Sequence, residues 1–153
     1  MLTLTHILVP TDFSDTSEEA IRYGVALAKQ YTAKLHVLHV MEKAPAEVPG
    51  NPEFPLALFE TMRDAAWKQL RRVLTESEIK EFGAEFDTRI GSPHAEIIRY
   101  AKDKDIDVIV MGTHGRGFVA HVLMGSVAEH VVRAAPCPVL TVRHRSRRGA
   151  AAA

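Results

Sequence analysis

The chain has 153 residues, 46% of them hydrophobic and 25% charged, the length and balance of one folded domain with a buried core. A single cysteine excludes an intramolecular disulfide, and no apolar run approaches the ~20 residues that a membrane-spanning helix needs. The formal net charge is zero, yet residues 1–142 carry 15 basic against 19 acidic groups, a formal −4, and Arg143, Arg145, Arg147 and Arg148 supply the balance.

This asymmetry sets the expected domain at residues 1–142 and leaves 143–153 as a basic, flexible tail. Four arginines without an aromatic platform or a recognition helix do not make a nucleic-acid surface. Cys137 lies between Pro136 and Pro138 with no C-x-x-C partner, so it reads as a half-buried structural thiol. The first ten residues show neither a basic leader nor a small-residue cleavage site, which points to a cytoplasmic protein.

Thr5-His-Ile-Leu-Val9 reads as a first strand, stopped by Pro10, which lacks a ladder donor. Thr11-Asp-Phe-Ser-Asp15 turns the chain, and Ser14, Asp15 or Thr16 can cap a helix over 17–31 whose apolar positions recur at helical spacing. Lys34-Leu-His-Val-Leu-His-Val40 is a second strand, too apolar for one wet face and so suited to a covered parallel sheet. Pro45, Pro49, Gly50 and Pro52 break up residues 41–54. A long helix is predicted from about Pro55 to Glu81, with Phe59, Met62, Ala66, Leu70 and Val73 turned inward.

Ala84 to Ile90 is a third strand, and Gly91-Ser-Pro93 starts another helix with Ser92 as N-cap and Pro93 where a missing N–H costs nothing. Ile106 to Met111 is a fourth strand. Ser126 to Ala135 is a short helix, with Ser126 as cap and Glu129 three residues on, as in a capping box. Pro138 to Val142 closes the series. The order βαβαβαβαβ predicts a single doubly wound α/β domain with a five-stranded, mostly parallel sheet, first and fourth strands central. Ligands in such folds sit beyond the strand C-termini where strand order reverses, which sets Pro10, Thr11 and Asp12 opposite Met111 and Gly112.

The fourth strand empties into Gly112-Thr-His-Gly115, and nine residues later Gly125-Ser126 opens a helix. Small residues let backbone amides approach an oxyanion, and a helix N-terminus adds unpaired N–H donors, so Gly125, Ser126 and Val127 are candidate phosphate amides. The same glycines also read as a tight turn before a helix with no ligand. Asp12 is either a ligand-facing carboxylate or an Asx-type turn stabiliser. Val40 and Met41 either line a base pocket or belong to the core margin. Arg116 either neutralises phosphate or is solvated. His36 and His39 fall on opposite strand faces and cannot share a metal, and neither a P-loop nor a G-x-G-x-x-G is present.

Ile7-Leu-Val-Pro-Thr-Asp12, the Gly91-Ser-Pro93 turn, Val110 to Gly117 with Gly125-Ser-Val-Ala128, and Pro136-Cys-Pro-Val-Leu140 together resemble the universal stress protein (UspA) family over about Thr3 to Val142. That resemblance implies strand order 3-2-1-4-5 with helices on both faces, usually in a homodimer, and a role in stress tolerance with little or no ATPase activity. The ATP-binding branch of the family carries G-x2-G-x9-G-[ST], met here at Gly112, Gly115, Gly125 and Ser126. By position, Asp12 would lie beside the nucleoside and Val40 near adenine. Gly112 and Gly115 would meet the ribose-phosphate region, and Gly125, Ser126 and Val127 the phosphate oxygens. The expected cofactor is ATP, with Mg2+ or Mn2+ held mainly through the phosphates. The expected assembly is a homodimer through the edge strand 138–142, open to a further protein partner. Two rival readings are a slow adenosine-nucleotide hydrolase and a ligand-free protein–protein module. A phosphoacceptor receiver is excluded, because Asp87 lies inside its strand and 138–142 contains no lysine.

Overall fold

A computed structural model describes residues 1–42, 54–114 and 124–144. Five strands, β1 (His6–Pro10), β2 (Lys34–Met41), β3 (Glu85–Ile90), β4 (Val108–Gly112) and β5 (Val139–Val142), form one parallel sheet in the order β3-β2-β1-β4-β5. The helices are α1 (Asp15–Tyr31), α2 (Phe54–Leu70), α3 (Glu76–Glu81), α4 (Pro93–Asp103) and α5 (Ser126–Ala134). Strand alternation sorts the core into two layers. Ile7, Val9, Leu35, Val37, Val108 and Val110 pack with Ala20 and Ile21 of α1 and Leu70 of α2. Leu8, Leu38, Ile109 and Met111 pack instead with Ile97 and Tyr100 of α4 and Ala128 and Val131 of α5. Each such buried aliphatic side chain contributes about 1.5–3 kcal/mol. Helices therefore cover both faces, as expected of βαβ connections.

Pro10 shapes the top of the sheet. Thr5 accepts from Lys34 N–H and Thr11 donates to Leu38 O, so these alternate residues face β2. Pro10 falls in the opposite set, facing β4, where it has no N–H to give. The β1–β2 ladder runs to Pro10–Leu38, but the β1–β4 ladder ends at Leu8–Ile109. A crevice opens there, between the first and fourth strands.

Three expectations are corrected. The helix predicted over 55–81 is two helices, because Thr75 caps a new one: its hydroxyl accepts Glu78 N–H at 3.2 Å while Glu78 accepts Thr75 N–H at 2.8 Å. Met62, expected on the inner stripe, is 43% exposed. The cap of α5 is Gly125 and not Ser126, and no side chain caps that helix. Gly125 N–H donates to Thr113 O at 2.6 Å and Gly125 O accepts the first helical bond from Glu129, so Ser126 becomes the first helical residue. Glu129 pairs with Arg133 at 2.8 Å. Ser92 does sit at the N-cap of α4, though its hydroxyl meets His94 Nδ1 at 3.2 Å and caps no amide. The Pro/Gly-rich residues 43–53 and the tail 145–153 lie outside the described residues.

Candidate functional site

At the carboxyl ends of β1, β2 and β4 lies a cavity of about 790 Å³, within the ~300–1,000 Å³ range of small-molecule sites. Pro10, Thr11, Asp12, Val40, Met41, Met111, Gly112, Gly125, Ser126 and Val127 all line it. Gly115 and Arg116 lie outside the described residues. One crevice thus brings together two segments 100 residues apart in the chain.

Local sequence explains how each wall is held. After Pro10 the chain tightens into a hydroxyl-rich turn: Thr11 Oγ1 accepts Phe13 N–H at 3.0 Å and meets Ser17 Oγ at 3.0 Å, while Asp12 Oδ1 accepts Ser14 N–H at 3.0 Å. Ser14 then caps α1 through Ser17 N–H. Asp12 thus stabilises the turn and also lines the cavity. Opposite, Thr113 N–H donates to Val142 O, and Thr113 O receives Gly125 N–H, which pins the start of α5 to the end of β4. That bond removes Gly125 from the set of candidate phosphate amides. Ser126, Val127 and Ala128 hold the first-turn N–H groups that an α-helix leaves without helical partners, and these residues face the cavity.

Among the described lining residues the charged side chains are Asp12 and Glu42, with no Lys or Arg. An anion there would be held by backbone N–H groups and the α5 dipole. No group of three or more His, Cys, Asp or Glu comes together among the described residues. The sequence reading missed Phe13 and His39, which line the same cavity with rings 4.6 Å apart. The signal was faint: His39 lies two residues before the end of a strand that is apolar on both faces, and Phe13 adopts a positive φ of 63° that no residue pattern announces.

A parallel sheet with its ligand-sized crevice at the β1–β4 reversal defines a doubly wound α/β domain. The universal stress protein family model matches residues 3–143. The chain is 35% identical over 140 residues to universal stress protein MJ0531 of Methanocaldococcus jannaschii, covering 90% of this chain and 81% of that one. Against the structure of MJ0577 from the same organism the TM-score is 0.81 at 30% identity, with 94% of this chain and 99% of that chain covered. A universal stress protein solved in complex with cAMP shares the fold at a TM-score of 0.66 and 24% identity, covering 92% of this chain and 98% of that one. The chain belongs to the universal stress protein family.

Proposed function

We propose that the protein binds ATP in this cavity and serves as a nucleotide-dependent regulatory or stress-response module. The observation that carries the reading is the first turn of α5, which opens without a side-chain cap onto the cavity that Asp12, Val40 and Met41 also line. Phosphate oxygens would accept the N–H groups of Ser126 and Val127, where aligned peptide dipoles favour negative charge. Asp12 would accept from ribose hydroxyls, and Val40 and Met41 would flank the base, with Pro10, Thr11, Met111 and Gly112 forming the floor. Gly115 and Arg116 belong to the same reading through the glycine motif. Mg2+ or Mn2+ fits as a companion of the phosphates, neutralising charge that the described lining does not.

Holding ATP is not cleaving it. Cleavage needs an oriented water and stabilisation of the charge that develops in the transition state, whereas the residues named here bind and orient. Binding without fast turnover is the matching expectation. Bound nucleotide would then alter the surface offered to a protein partner.

The same reading makes the protein a cytoplasmic homodimer joined through residues 138–142. β5 is a sheet edge that leaves Leu140 39% exposed, and an apolar edge is a liability unless another strand covers it. Among the described residues no helix is long and apolar enough to cross a membrane.

Calorimetric titration of the purified chain with Mg·ATP tests the binding. Saturable heat is expected from the wild type and its loss from Gly125→Val, with unchanged circular dichroism. Equal binding by both would place the phosphates elsewhere, and no binding by the wild type would end the nucleotide reading.

A further inference from the structure

A second, smaller hollow of about 270 Å³ lies beyond one wall of the cavity. It is bounded by the start of α1 and by residues 69–73, where α2 ends and the chain turns. Thr11, Phe13, Ser17 and Gln69 line both spaces, so the two share that wall. Phe13 takes its place there through a left-handed backbone, φ 63°, which an aromatic residue seldom adopts. Disfavoured backbone of this kind concentrates at binding sites.

The hydroxyls around the hollow are already committed. Thr11 Oγ1 meets Ser17 Oγ at 3.0 Å, Ser17 Oγ donates to Ser14 O at 2.8 Å, and Ser14 Oγ accepts Ser17 N–H at 3.3 Å. They serve the turn before α1 and leave an apolar floor of Phe13, Ile21 and Val73. Of the described lining residues, two are charged. Glu18 is paired with Arg22 at 3.7 Å, whereas the exposed Arg72 forms no ion pair among the described residues. A concave apolar surface with one uncommitted cation at its edge suits a small amphipathic anion.

We infer that this hollow is a second ligand site, one that takes a compact organic acid. Arg72 offers its planar fork to the carboxylate, and the hydrocarbon body covers Phe13, Ile21 and Val73. At about 270 Å³ the space lies just below the ~300–1,000 Å³ of drug-sized sites, so its ligand is smaller than a nucleotide. The inference stands independently of what the larger cavity holds.

Methyl-detected NMR of the full chain tests it with isocaproate, isocaproamide and isohexylammonium, which share one hydrocarbon body. Saturable shifts at Ile21 and Val73 are expected with isocaproate, and about fivefold weaker binding of the other two. Arg72→Gln, a change at an exposed position, is expected to bring the acid and the amide to equal affinity. Equal wild-type affinities for acid and amide overturn the inference, because Arg72 then has no part in it. So does tighter binding of isohexylammonium, which would give the site to Glu18. Shifts at Met111 and Val127 without shifts at Ile21 and Val73 overturn it too, by placing the probe in the larger cavity. The absence of saturable binding in the millimolar range would end it outright.

Discussion

Gly112 lies so close to Thr16 that a β-carbon there would come within 2.6 Å of Thr16 Cγ2 and 3.1 Å of its backbone carbonyl carbon. The first glycine of the sequence motif therefore has a packing duty as well as a place in the cavity floor. It lets the N-terminal turn of α1 seat against the end of β4, which brings Asp12 within one crevice of α5. Gly112→Ala is expected to destabilise the fold by about 1–3 kcal/mol through overpacking, read as a lower denaturation midpoint. An unchanged midpoint would mean that Thr16 yields freely.

Stability should fall as the solution is acidified, in a window set by His36. This side chain is 1% exposed, bridging His6 Nδ1 and the Tyr100 hydroxyl at 3.0 Å each. Burial lowers its pKa from 6.5 to about 4, against the pull of Glu85. The unfolded chain takes up this proton near pH 6.5 and the folded one only near 4, so stability present above that window is lost as pH falls through it. The loss amounts to about 3 kcal/mol. Glu85 adds a separate acid limb: hydrogen bonds from Lys104 and Lys34 hold it at about 2, below its ordinary 4.5, so its contribution is present above 4.5 and fades below. Urea midpoints between pH 7.5 and 4.5 should decline for the wild type and flatten for His36→Gln. Parallel declines would remove His36 as the cause.

The two sheet edges differ in kind. β3 carries the half-buried Glu85, Asp87 and Arg89, which engage in ion pairs with Lys34, Lys104 and Asp103 among others, whereas β5 reads Val139-Leu-Thr-Val142. Charge protects the first edge, and among the described residues nothing comparable protects the second. Sedimentation at micromolar concentration is expected to give a dimeric mass for the wild type and a monomeric one for Leu140→Lys. A monomeric wild type would contradict pairing through β5.

Much of this architecture could be read from residue patterns. Strands such as 34–40 are apolar on both faces, which only a covered parallel sheet accommodates, and Pro10 flagged the end of the ladder that opens the crevice. Where the reading failed, tertiary bonds decided between local options. Ser126 is the cap expected from sequence, and the bond from Gly125 N–H to Thr113 O, between residues twelve apart, moves the cap to Gly125. The break before α3 was visible in Thr75-Glu-Ser-Glu78, a capping box masked by continuous helical periodicity on either side. The pairing of Phe13 with His39 was not legible at all, since it depends on one backbone angle.

Gly125 offers the most direct test of the phosphate site. Its φ of −68° and ψ of 159° suit any L residue, so Gly125→Asp should place a carboxylate on the first-turn N–H groups of α5, the position an N-cap aspartate normally takes. The helix would keep or gain a few tenths of a kcal/mol, while phosphate would lose its donors and meet a like charge. Paired melting and Mg·ATP calorimetry on this variant are expected to show an unchanged or slightly higher melting temperature with affinity reduced about tenfold or more. Wild-type affinity in a variant that folds normally would show that α5 does not hold the phosphates.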